Sequence, residues 1–110
     1  MNVIYSSNKI RKKLSSPSEI KKAFGIMAKK VQSRLDDMIA APNLKVLIQI
    51  PAANCHSLAG NKRGEWALDI SSNHRMIFEI NHDPVPKKDN GEIETIRVTD
   101  IRIIETTDYH

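Results

Sequence analysis

Residues 55–79 read CHSLAGNKRGEWALDISSNHRMIFE, and this stretch decides the fold. Within it, residues 65–70 (EWALDI) alternate, with Trp66, Leu68 and Ile70 on one side. That period belongs to a half-buried β-strand. Residues 75–80 (RMIFEI) alternate in the same way, with Met76, Phe78 and Ile80 together. Residues 71–73 are small and polar and turn the chain between them, so the pair is expected to form an antiparallel hairpin. Upstream, residues 59–64 (AGNKRG) form a basic turn flanked by Gly60 and Gly64, which permit sharp backbone geometry. Residues 55–58 ahead of it suit a short strand.

Beyond the hairpin, residues 82–91 (HDPVPKKDNG) are a polar loop with two prolines, expected to be mobile. Residues 93–104 read as a last long strand. Its apolar parity slips, because Ile96 and Val98 share one side while Ile101 and Ile103 share the other. A β-bulge near Thr99 and Asp100 would restore the alignment.

Toward the N-terminus, residues 2–6 suit a short strand and residues 8–14 a short helix carrying Ile10 and Leu14. Ser16-Pro17-Ser18-Glu19 has the form of a helix start, with Ser16 as cap, Pro17 at the first turn and Glu19 closing a capping box. Ile20, Ala23, Phe24, Met27, Ala28, Val31, Leu35, Met38 and Ile39 then recur three and four residues apart, one apolar stripe down a helix. Pro42 ends it near Ala41. Residues 43–50 suit a short apolar helix stopped by Pro51. Helices first and strands after predict a single α+β domain over residues 1–110, with N-terminal helices packed on a mainly antiparallel sheet as two layers.

The chain has 17 Lys and Arg against 13 Asp and Glu, giving a net charge of +4 and a pI of about 9.3. The basic residues cluster as Arg11-Lys12-Lys13, Lys21-Lys22, Lys29-Lys30, Lys62-Arg63 and Lys87-Lys88. Such clusters suit a polyanion partner and equally suit a solvated helix surface. No apolar run is long enough to span a membrane, and residues 1–13 lack the apolar core of a signal peptide. A cytoplasmic location without membrane contact is the expectation. Lone Cys55 has no internal disulfide partner and reads as an inert buried thiol.

No histidine, cysteine or acid falls at metal-ligand spacing, so no metal or other cofactor is expected. There is no phosphate-binding glycine loop, dinucleotide fingerprint or nucleophile elbow. What remains is metal-free acid–base chemistry beside basic groups. RNA brings its own nucleophile, the 2′-hydroxyl. Its cleavage needs a proton acceptor, a proton donor and positive charge at the phosphate. Histidine suits either proton role. The candidates are His56, Arg75, Asp108 and His110. Each has a plainer alternative: a strand-end residue for His56, a surface ion pair for Arg75, a frayed terminus for Asp108-Tyr109-His110. His74 and His82 fall in turns and are expected to be exposed and silent.

The quoted block, together with a chain ending Asp108-Tyr109-His110, resembles the RelE/ParE superfamily of type II toxins, and within it the HigB branch of plasmid maintenance killer proteins. The likeness covers most of the chain. It rests on the helix pair, the turn His56-Ser57-Leu58-Ala59-Gly60-Asn61-Lys62-Arg63-Gly64, the Trp66 strand, Arg75-Met76-Ile77-Phe78 and the terminal triple. The resemblance implies a ribosome-dependent endoribonuclease that enters the A site of the 70S ribosome and cuts translated mRNA. It also implies a cognate helix-turn-helix antitoxin, HigA-like, through which the toxin oligomerises. Carried over by residue, it makes His56, Arg75, Asp108, Tyr109 and His110 catalytic. Arg75 would stabilise phosphate charge, His110 and Asp108 would move protons with His56 assisting, and Tyr109 would orient or stack a base. Lys62 and Arg63 would contact RNA phosphate. Many relatives carry lysine where this chain has Ala59. The alternatives are a ParE-like toxin that inhibits DNA gyrase without cutting, and an inactive relative that only binds antitoxin.

Overall fold

The computed structural model describes residues 1–59 and 64–108. Five strands form one sheet: β1 (Asn2–Tyr5), β2 (His56–Ser57), β3 (Glu65–Ser71), β4 (His74–Ile80) and β5 (Asp100–Asp108). Their spatial order is β1-β5-β4-β3-β2. All neighbouring pairs are antiparallel except β1 and β5, which run parallel. The helices α1 (Asn8–Lys13), α2 (Pro17–Phe24), α3 (Ala28–Ala40) and α4 (Leu44–Ile48) precede most of the sheet in sequence. The architecture is the expected α+β arrangement of helices on a mainly antiparallel sheet.

Local signals set the helix boundaries. Ser7, Ser16 and Asn43 are extended N-caps, and their side chains accept from the backbone N–H groups of Ile10, Glu19 and Val46. Each thereby satisfies one of the orphan donors of a helix start. The single helix expected over residues 16–41 is instead two. Gly25 caps α2 with φ 56°, and a 3₁₀ turn over Gly25–Met27 leads into α3. Only glycine enters this backbone region at little expense, so a periodic apolar stripe hid a helix break. The break leaves Ile26 fully exposed at the apex, and Ile39, assigned to the stripe, is also exposed.

Val31, Leu35 and Met38 of α3, with Ile20 of α2, are buried against the sheet. From the sheet side Trp66, Leu68, Met76, Phe78, Ile101 and Ile103 join the same core. Trp66 and Phe78 face each other across β3 and β4 and stack with ring centroids 6.4 Å apart. Each such large aromatic contributes strongly to burial, and the ring pair adds about 0.5–1.5 kcal/mol beyond area.

The last strand differs from the expectation over residues 93–104. Residues Thr95–Arg97 form a 3₁₀ turn, and β5 begins only at Asp100. The irregularity lies further on: Phe78 pairs with Ile103 while Ile77 pairs with Glu105, so Ile104 is the extra residue. The parity slip thus combined a helical turn with a bulge five residues beyond the expected place. His82 is not silent. Its Nε2 accepts from the backbone N–H groups of Thr99 and Asp100 at 3.0 and 3.1 Å. The imidazole therefore fastens the polar loop to the start of β5. His74 is likewise half-buried, in strand rather than turn.

Candidate functional site

One face of the sheet carries the helices; the other carries the candidate site. Residues directly opposite in antiparallel strands share a face. His56 in β2 pairs with Ala67 in β3. Arg75 in β4 pairs with Asp69 on one side and with Thr107 of β5 on the other. Ala67 and Asp69 are two residues apart in β3, so His56, Asp69, Arg75 and Thr107 all belong to the helix-free face. From strand spacing and rise, the backbones of His56 and Arg75 are about 12 Å apart. An imidazole and an extended guanidinium can converge on one phosphate across that gap. Ala67 and Ile77 form an apolar floor between them, fully buried yet outside the main core cluster.

The polar groups on this floor are held from below and from one edge. Pro51–Ala53 form a 3₁₀ turn, and Asn54 follows it at φ 44°, ψ 48°. Among the described non-glycine residues Asn54 alone has positive φ, a conformation asparagine tolerates better than most. This bend aims the Asn54 carbonyl at the His56 ring, with Nδ1 at 2.7 Å. It also lets Asn54 Nδ2 donate to Asp69 Oδ2 at 3.1 Å. The second carboxylate oxygen, Asp69 Oδ1, is buried with no hydrogen-bond partner among the described residues. Along the same face Glu65 stands opposite Glu79. Arg102 of β5 offsets that like-charge pair by bonding Glu79, and it reaches Asn81 Oδ1 at 2.8 Å.

Neither Asn54 nor Asp69 was singled out from sequence. Asp69 looked like the polar half of an alternating strand. Asn54 could have been found from the Pro51-Ala52-Ala53-Asn54 run, a turn ending in a residue that accepts left-handed backbone.

Asp108 is the last residue of β5 and pairs with His74. It is exposed, and strand alternation gives it the parity of Thr106 and Met76 rather than that of Arg75. Thr107 is the direct neighbour of Arg75. Residues up to Asp108 are therefore in strand, where a frayed terminus had been the plainer alternative. Lys62, Arg63, Tyr109 and His110 lie outside the described residues.

Among the described residues no group of three or more His, Cys, Asp or Glu is gathered as a metal site would require. Cys55 is buried next to His56 in sequence, and burial pushes its thiol up to about 12, so it is neutral and a poor nucleophile. No helix among the described residues is long and apolar enough to cross a membrane. A surface depression of about 570 Å³ runs along β1 and the start of α1, lined by Tyr5, Ser7 and Arg11 among others. The candidate site is a half-polar sheet face on the side away from the helices, with a buried apolar floor.

No family model matches the chain, and no curated protein matches it. Among solved structures, a YoeB/ParE toxin from Agrobacterium tumefaciens is similar over 100% of both chains, with a TM-score of 0.55 and 12% sequence identity. Helices packed on a five-stranded, mostly antiparallel sheet is the fold this chain has in common with that toxin.

Proposed function

We propose that this chain is the toxin of a type II toxin–antitoxin system, of the HigB kind, and that it cuts translated mRNA in the ribosomal A site. The observation that carries the reading is the juxtaposition of His56 and Arg75 on one open face, beside the end of β5. The fold held in common with a YoeB/ParE toxin supports it. So does the charge of the helical layer: the first 34 residues hold nine of the 17 basic residues and one acid, Glu19. Long-range attraction of that size favours a phosphate-rich partner.

In this reading the RNA 2′-hydroxyl attacks the adjacent phosphate. A proton leaves the hydroxyl, another reaches the departing 5′-oxygen, and Arg75 offsets the negative charge that gathers on the phosphate oxygens. His56 is one proton-transfer group. His110 supplies the other, with Tyr109 stacking a base. Asp108, whose strand parity is opposite to that of Arg75, acts only by holding this segment at the end of β5. Lys62 and Arg63 hold RNA phosphate. A HigA-like antitoxin with a helix-turn-helix domain neutralises the toxin and organises its oligomer. The step uses no metal or organic cofactor.

A ParE-like toxin acting on DNA gyrase is the second reading. Ala59, standing where many nuclease relatives carry lysine, favours it, as does the double name of the similar structure. One experiment separates the two: induce the chain and map mRNA 5′ ends. Codon-linked cuts inside translated frames, lost with His56→Ala and Arg75→Ala, are the expected result. DNA damage with intact mRNA overturns the nuclease reading in favour of gyrase. Normal growth on induction overturns both.

A further inference from the structure

We infer that Asn54 is the positioning residue of this site, fixing the tautomer of His56 with its backbone and the placement of Asp69 with its side chain. The inference rests on the nuclease reading for its catalytic consequence, but its structural half stands alone.

The backbone half follows from donor and acceptor chemistry. A carbonyl oxygen only accepts. With the Asn54 carbonyl 2.7 Å from His56 Nδ1, that nitrogen must carry the proton. A neutral imidazole then has its lone pair on Nε2, the nitrogen pointing away from Asn54. His56 is thereby prepared as a proton acceptor toward whatever lies on the sheet face. In the opposite tautomer two lone pairs would face each other at 2.7 Å. Left-handed backbone at Asn54 is what swings the carbonyl into place.

The side-chain half concerns charge. Asp69 is the cross-strand neighbour of Arg75. One of its oxygens accepts from Asn54 Nδ2, and the other is buried on the same face. Holding the carboxylate from the β2 side fixes where negative charge sits at the strand position opposite Arg75, and so biases where a phosphate is drawn. A single residue thus links the proton acceptor to the phosphate-binding group across β3.

The test has a spectroscopic arm and a kinetic arm. In ¹⁵N-labelled wild-type protein without RNA, long-range ¹H–¹⁵N correlation should show neutral His56 protonated on Nδ1. A neutral ring protonated on Nε2 overturns the backbone half. The kinetic arm uses purified protein with ribosomes and mRNA. Asn54→Gly keeps the left-handed bend and removes the amide. Its kcat should fall roughly 10- to 100-fold at unchanged KM, as a displaced charged group costs. Asn54→Asp sets two carboxylates against each other and should lose more. Adding Asp69→Asn to it re-forms the bond with donor and acceptor exchanged but moves the carboxylate off the position opposite Arg75, so thermal stability should return toward wild type while kcat stays low. A full-rate Asn54→Gly, or a double variant that cuts at the wild-type rate without the carboxylate opposite Arg75, overturns the side-chain half. A wild-type chain that cuts no RNA overturns the nuclease reading instead, and the tautomer measurement still decides the backbone half.

Discussion

The two faces of this sheet are built from the same strands and obey different physics. On the helix side, Trp66 is buried and Leu68, Met76, Phe78, Ile101 and Ile103 are packed to near-zero exposure. Their identities answer to volume and shape. One residue along each strand, on the open side, stand His56, Asp69, Arg75, Glu79 and Arg102. Their identities answer to charge, hydrogen bonds and reach. What the contrast teaches is that stability and chemistry are separated here by the strand period of two, so each can be altered while the other is left nearly intact.

The largest effect expected from that separation is on the packed side. Phe78→Ala removes a fully buried ring and its stack with Trp66, and should lower unfolding free energy by about 3–5 kcal/mol. Chemical denaturation measures it, and a loss under ~1 kcal/mol would mean that the helix layer does not close over this face. On the open side, Arg75→Lys keeps a cation and discards the planar fork. It should reduce mRNA cleavage by about 10²-fold while circular dichroism and the cooperativity of melting stay as in wild type. Loss of folding together with activity would blur the two faces into one.

Cys55 offers an intermediate test at the boundary between them. Its burial should leave it unlabelled by a thiol reagent in native protein and rapidly labelled in denaturant. The sign of its pH effect follows from the raised pKa. The folded state keeps the thiol protonated to about 12, while an unfolded thiol ionises near its ordinary value of 9.0. The unfolded state therefore binds fewer protons in that window, and stability falls as pH rises above 9.0. Denaturation midpoints unchanged between neutral pH and pH 10 would contradict the burial. Smallest of all, Arg102→Ala removes a half-exposed partner of Glu79 and should lower stability by about 0.3–1 kcal/mol, less at high salt.

The packed side was largely legible in the sequence. Alternation in residues 65–70 and 75–80 gave the hairpin, and Ser16, Pro17 and Pro42 bracketed the helical region, because period and capping are local properties. Gly25 escaped notice because the apolar stripe continues across it. Ile104 escaped because a bulge shows only against its partner strand. On the open side His56 and Arg75 were found by chemistry, and their common face follows from register, which no local pattern sets. Asp69 was missed for the same reason, since its contact with Asn54 joins positions 15 apart in sequence through the fold, whereas Asn54 carried a local turn signal. His82 was misjudged because a turn histidine gives no local hint that two backbone donors will meet it.

β5 lies between β1 and β4, and its first residue, Asp100, pairs with Asn2 across a separation of 98 positions. β1 is therefore made well before the strand that houses it. Its hydrogen-bonding groups stay wet throughout synthesis, until the stretch after Thr99 has emerged to receive them. Such long-range pairing folds slowly, and a ribosome stalled anywhere before Asp100 would be left holding helices and a bare hairpin, with no completed sheet.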